Sequence, residues 1–397
     1  MLKGKTVLLG VTGSIAAYKT ASLASMLVKQ HADVHVLMTR NATNFINPIT
    51  FETLTGNKCL IDTFDRNFEF KVSHVSVASA ADVFMVAPAS ADVIAKLANG
   101  IADDMLTTTA LACEAPLILA PAMNTHMLLK QVTLDNIKKL EGYGAEVIAP
   151  ASGYLACGDT GAGKMPEPET LLQYIYKAIL REKDLAGKKV LVTAGPTQEA
   201  IDPVRFVTNH SSGKMGYALA REASFRGADV VLVSGKTSLT PPLFTKFIPV
   251  VSAKDMYDAV MEEFPDTDIV LKAAAVADYR PMHVAEDKIK KNSASSVLEM
   301  ERTDDILAEL GKQKRDGQFL CGFSMETKDM LEHSREKLEK KNLDMICANN
   351  LKEQGAGFET DTNHISVLTR EETISLPLVS KEEAARQILD LVVDRIS

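Results

Sequence analysis

Short segments able to do chemistry recur along this chain, each just after an apolar run. Gly10–Lys19 comes first: Gly13 permits close approach of a ligand, Ser14 offers a hydroxyl, and the start of a helix favours an anion. The run is not G-x-G-x-x-G, so it fits a single phosphate rather than a dinucleotide. Pro88–Asp92 and Pro121–Asn124 follow two further apolar runs, and three polar strand ends in one α/β domain point to one crevice. His74 is an imidazole of the type used as a general base. Cys157, among Gly153, Gly158, Gly161 and Gly163, could deliver a proton from a closing lid. Taken singly, each also reads as a helix cap, a structural histidine or a packed thiol.

The second half repeats the pattern. Ala194–Thr197 leads to Asp202–Phe206 and then to Asn209–Gly216, whose hydroxyls, glycines and Lys214 open a helix as a phosphate cradle. Lys272–Tyr279 ends an apolar run in Asp278, placed for a ribose hydroxyl, for Mg2+, or simply for a turn. Lys288–Lys291 is strongly basic, and Lys337 and Lys341 lie four apart on one face of a charged helix. Either is a solvated face or a set of cations over a phosphate. Gly158–Lys164 matches the spacing of a P-loop, but Met165 replaces the Mg2+-binding hydroxyl. Pro166 and Pro168 also prevent a helix from starting directly there.

The elements that must hold these segments begin twice. Thr6–Gly10 and Lys189–Thr193 are continuous aliphatic runs of the kind buried on both sheet faces. Each passes through a Gly-containing turn into a helical pattern, Ile15–Lys29 or Met215–Arg226, and then into a second strand, Val34–Met38 or Val230–Val233. Strand, turn, helix, strand is the unit of a doubly wound parallel sheet, so the reading is α/β with two consecutive Rossmann-like domains, 1–185 and 186–397. Val72–Val77 reads as strand-like, and Asp278–Ser296 as a loop without periodicity.

Composition bounds the function classes. The 397 residues suggest two or three domains. A net charge of −8 speaks against a nucleic-acid coat, and the absence of Trp with 6% aromatics against a base-stacking platform. No apolar run reaches a membrane span. Five scattered cysteines without zinc spacing suit a reducing cytoplasm.

Together these residues resemble a known family. Gly13–Lys19, His74, Pro88–Asp92, Pro121–Asn124 and Ser152–Asp159 resemble the FMN-dependent phosphopantothenoylcysteine decarboxylases. Thr193–Glu199, Ile201–Phe206, Asn209–Gly216, Ala274–Arg280, Asp287–Asn292 and Lys341–Asn350 resemble the CTP-dependent phosphopantothenate–cysteine ligases. The order, covering essentially the whole chain, is that of the bifunctional enzymes of coenzyme A biosynthesis.

The resemblance implies a flavodoxin-like first domain with FMN against Gly13, Ser14, Ile15, Thr39, Pro88, Ser90 and Ala91. His74 would be the base, Asn124 the holder of the substrate carboxylate with Met127 nearby, and Cys157 the proton donor. FMN would oxidise the thiol-bearing carbon, so that loss of CO2 leaves a stabilised enethiolate. In the second domain Ala273, Ala274, Asp278, Lys288, Phe323, Lys337 and Lys341 would bind CTP. Asn209, with Arg205, Ser212 and Gly213 beside it, would handle an acyl-cytidylate, Lys288 would support activation, and Asp278 would meet Mg2+ or Mn2+. Cysteine would then displace CMP from activated 4′-phosphopantothenate. A cytoplasmic homo-oligomer of trimeric and dimeric contacts, a dodecamer, is implied, with no nucleic-acid or membrane partner. Asp92-Val93 and Leu128 depart from the family pattern. A flavin-binding regulatory subunit is the alternative reading.

Overall fold

A computed structural model describes residues 1–64, 74–154, 160–290, 297–326, 329–350 and 360–396. The chain divides into two compact units, Met1–Arg181 and Glu182–Ser397.

In the first unit, β1 (Thr6–Val11), β2 (Asp33–Met38), β3 (Val83–Ala89), β4 (Leu117–Pro121) and β5 (Glu146–Val147) form one parallel sheet. Its order, β2-β1-β3-β4-β5, is flavodoxin-like and puts a switch point between β1 and β3. β3 is buried at every position, as its uninterrupted apolar run requires. Leu8, Phe84, Val86 and Leu119 pack with Ile94 and Leu106 from helices Ala91–Ala98 and Met105–Ala112. A hairpin of β6 (Ala151–Tyr154) and β7 (Thr160–Lys164) follows, then helix Pro168–Ile179. Lys164 thus ends a strand rather than opening a helix, which no P-loop does.

His74 starts a helix, His74–Ala80, where the sequence suggested a strand. Val77 and Ala78 are both buried though adjacent, which the alternation of a strand would not give, so valine's β preference loses to packing.

The second unit contains β8 (Lys189–Ala194), β9 (Gln198–Ala200), β10 (Phe206–Thr208), β11 (Asp229–Ser234), β12 (Thr245–Pro249), β13 (Ile269–Lys272), β14 (Tyr279–Pro281), β15 (Met300–Arg302), β16 (Phe319–Glu326), β17 (Met345–Asn350), β18 (Thr362–Asn363), β19 (Ile365–Thr369), β20 (Thr373–Ser375) and β21 (Val379–Ser380). Its main sheet runs β12-β11-β8-β13-β16-β17-β19-β20. The first six strands are parallel and carry the 3-2-1-4-5-6 order of the Rossmann fold, with the reversal between β8 and β13. The last two are antiparallel, so this sheet is mixed at one edge. Helices Lys214–Phe225 and Lys381–Ile396 cover one face, and Ala253–Glu263, Ile306–Gln313 and Met330–Lys340 the other. The stretch expected to be a loop from Asp278 contains β14, paired with β15; residues 291–296 lie outside the described residues.

Candidate functional sites

At the first switch point, Thr12 ties two strand ends together. Its buried hydroxyl donates to the Pro88 carbonyl at 2.7 Å and accepts the Ser90 amide at 3.0 Å. Gly13 is sterically required, because a β-carbon there would stand 2.8 Å from Asn41 Cβ. Helix Ala17–Lys29 begins without a side-chain cap at Ala16; a tight turn serves its start instead, the Ala17 amide donating to Ser14 O and the Lys19 amide to Ala16 O, both at 3.0 Å. Ser90 is engaged locally, capping helix Ala91–Ala98 through the Val93 amide.

A cavity of about 500 Å³ opens here, lined by Ser14, Ile15, Tyr18, Lys19, Met123, Asn124, Tyr154 and Lys164 among others. Buried Lys19 reaches the Met165 carbonyl at 3.2 Å and Glu167 at 2.8 Å, anchoring the end of the hairpin. The hairpin rests on the asparagine loop: Met123 N donates to Gly163 O at 3.1 Å, and Thr125 Oγ1 to Ala162 O at 2.7 Å. Asn124 accepts the His126 amide at 2.8 Å and caps the short helix that carries Met127.

His74 is not among the residues lining this cavity, nor are Gly13, Pro88 and Ala91. Thr39 lines a different one, of about 550 Å³, with Asp92 and Lys96. There Lys96 stands 3.4 Å from Asp92 and 3.1 Å from Asp103, so the unexpected Asp92 sits in an ion-pair group. Cys157 lies outside the described residues.

The second unit places its site at its own switch point. Residues 273–278 leave β13 and are stitched to β8 and its turn: Ala274 N donates to Thr193 Oγ1 at 3.1 Å, and Ala277 N to Thr197 Oγ1 at 3.0 Å. Asn209 Nδ2 donates to Ala275 O at 3.0 Å. Gly216 lets the helix approach the sheet, since a β-carbon would come within 2.5 Å of Ala194 Cβ.

The resulting cavity, about 460 Å³, gathers Asn209, Ser212, Gly213, Ala273, Ala274, Asp278, Phe323, Lys337 and Lys341. It includes Lys214 of the expected phosphate cradle, and also brings in Lys272, Asp305, Asn349, Asn363 and Lys381, to which sequence reasoning assigned no role. Their place on the cavity depends on elements remote in sequence: Lys272, Asn349 and Asn363 lie at strand ends, whereas Asp305 caps a helix and Lys381 opens one. Burial, then the neighbouring Lys341 charge, bring the Lys272 ammonium down to about 8, against the pull of Asp305 and Asp278. Asp305 is held below its ordinary value by hydrogen bonds from Lys341 and the Ala308 amide, which outweigh its burial.

Arg205 and Lys288 do not line this cavity. They belong to one assembly centred on buried Asp202, which pairs with the Arg205 guanidinium and accepts the Ile289 amide at 3.2 Å. Arg205 Nη2 also donates to Ile289 O at 2.9 Å, and Ala285 N to Ile201 O at 3.1 Å. Lys288 itself is exposed on the loop so fastened.

Among the described residues no helix is long and apolar enough to cross a membrane. Likewise, among them no group of three or more His, Cys, Asp or Glu could by itself hold a metal.

Comparison with known proteins bears on both units. Residues 1–180 match the family model described as Flavoprotein, and 185–396 that of the DNA/pantothenate metabolism flavoprotein C-terminal domain. The Coenzyme A biosynthesis bifunctional protein CoaBC of Bacillus subtilis (strain 168) is 48% identical over 393 residues, covering 98% of this chain and 97% of its own. The protein of the same name from Escherichia coli (strain K12) is 39% identical over 397 residues, covering 99% and 98%. Among solved structures, the C-terminal domain of a coenzyme A biosynthesis bifunctional protein is 45% identical, with a TM-score of 0.47, covering 54% of this chain and 98% of that one.

Proposed function

The chain belongs to the family of coenzyme A biosynthesis bifunctional proteins, flavoproteins with decarboxylase and ligase activities, and on that premise we propose how its two units divide the work. The second unit activates 4′-phosphopantothenate with CTP as an acyl-cytidylate and joins it to L-cysteine. The first removes the cysteine carboxylate from the product. The regulatory-subunit alternative loses ground because the similarity runs through both units at 48% identity.

The observation that carries the ligase assignment is the cavity joining Asn209, Ser212 and Gly213 to Asp278, Phe323, Lys337 and Lys341. A triphosphate needs cations and open amides, and both occur here: Gly213, with φ +77°, opens helix Lys214–Phe225 without a side-chain cap. Asp278 would hold Mg2+ or Mn2+ together with phosphate oxygens, which suits a metal that takes one or two carboxylates. Lys288, on the loop fastened by Asp202, would neutralise charge on the phosphoryl group being transferred. Asn209 would then orient the activated carboxyl group for attack by the cysteine amine.

In the first unit, the strand order and the cavity lined by Ser14, Ile15, Lys19 and Asn124 at the switch point fit a flavin mononucleotide. FMN, when bound, supplies two-electron redox chemistry at the thiol-bearing carbon. Asn124 would hold the substrate carboxylate, His74 would take a proton, and Cys157 would return one as the hairpin covers the cavity. Homo-oligomeric assembly of the chain belongs to the same proposal, and light scattering of the purified protein tests it. His74→Asn and Lys288→Gln, assayed for CO2 release and for CTP-dependent pyrophosphate release, test the division of labour.

A further inference from the structure

Among the described residues, two side-chain atoms are buried without a hydrogen-bond partner: Asn349 Oδ1 and Asn363 Oδ1. The two residues are 7% and 5% exposed, and both line the ligase-unit cavity. They converge through the sheet's antiparallel edge, since Asn349 of β17 lies opposite Ile365 of β19, and Asn363 precedes that strand by two residues. A buried acceptor without a donor costs stability, so native chains keep few of them. That both fall on one cavity marks a place where a ligand brings the donors.

The neighbouring charges decide which donors. Lys214 and Lys381 line the same cavity, with Lys214 2.7 Å from Asp361. An ammonium group of a ligand would meet like charge there. We infer that Asn349 and Asn363 are substrate-binding residues of the ligase unit, whose carbonyls accept hydrogen bonds from neutral N–H or O–H groups of its substrate. The inference rests on the ligase reading above. Such donors come from two sources: the base amine or ribose hydroxyls of the nucleotide, or the amide and hydroxyl of the pantothenoyl arm.

Calorimetric titration of the full chain with CTP, UTP and 4′-phosphopantothenate tests this, comparing wild type with Asn349→Leu and Asn363→Leu. Each variant is expected to weaken one ligand about tenfold or more, while the ligand-free melting temperature holds or rises because an orphan acceptor is gone. Weaker CTP binding with lost preference over UTP assigns the base amine. Equal losses of CTP and UTP assign the ribose. A loss confined to 4′-phosphopantothenate assigns the pantothenoyl arm. Unchanged affinities, or a fall in the ligand-free melting temperature with equal losses for all ligands, overturn the inference in favour of a structural role. Asn→Ser variants give the same comparison where leucine is not accommodated. Wild-type chain that binds neither CTP nor 4′-phosphopantothenate overturns the ligase reading, and the inference with it.

Discussion

The Gly163 carbonyl accepts the Met123 amide at 3.1 Å, so the second strand of the hairpin lies directly on the loop that presents Asn124. Gly163 has φ +135°, and a β-carbon there would collide with the Met123 carbonyl oxygen. The contact therefore tolerates only glycine. Gly163→Ala should lift the hairpin and reduce CO2 release by at least about tenfold, a cost consistent with strained backbone plus a lost hydrogen bond. Pyrophosphate release in the ligase reaction, measured on the same sample, should stay near wild type.

Thr12 provides a second handle on the proposed flavin site, because one hydroxyl joins the ends of β1 and β3. Thr12→Val keeps the shape and removes both bonds, leaving a buried carbonyl and amide unserved. The expected cost is about 1–3 kcal/mol of stability, with a lower flavin content after purification. Thermal unfolding and the ratio of flavin to protein absorbance check it.

Asp202 fastens the Lys288 loop from below. Its carboxyl group is held well below the usual carboxylate range, chiefly by the Arg205 guanidinium and then by the Val204, Ile289 and Arg205 amides against burial. Asp202→Asn should slow ligation about tenfold or more while leaving decarboxylation of supplied 4′-phosphopantothenoylcysteine intact. Proteolysis should cut nearer Lys288 in the variant than in wild type.

Lys272 gives the ligase cavity a pH signature. Folding lowers its proton affinity from an ordinary 10.5 to about 8. Burying the charged form therefore costs stability in full below pH 8, and that cost fades as pH rises from 8 to 10.5. Lys272→Met should raise the melting temperature at pH 7 and change it little above pH 10.5. Phosphate groups of a nucleotide bound there, as proposed, would restore the proton, so CTP binding near pH 8 should take up protons, read as a buffer-dependent binding enthalpy that the variant loses.

Much of this architecture was written locally. The aliphatic runs before Gly10 and Ala194 and the helical patterns after them were enough to place both sheet starts, because buried parallel strands leave unbroken apolar stretches. The basic stretch at Lys288 was legible from its charge alone, whereas the strand read through the small residues to Asp278 ends earlier, at Lys272. Helix His74–Ala80 was not, since seven residues rich in valine and serine prefer either state until a partner helix decides. Asn349 and Asn363 were silent because their burial comes from an antiparallel edge that the repeating strand–helix pattern gives no reason to expect. Lys272 looked like the end of a strand; its burial, and then Lys341 on another helix-to-strand connection, set its charge environment.

The most direct test of the whole account follows one purified sample given CTP, L-cysteine and 4′-phosphopantothenate, with pyrophosphate, CMP and CO2 measured together. The account predicts a flavin-coloured protein that releases equal pyrophosphate and CMP, followed by CO2 that appears only when cysteine is present. Absence of CTP-dependent pyrophosphate together with colourless protein would contradict it.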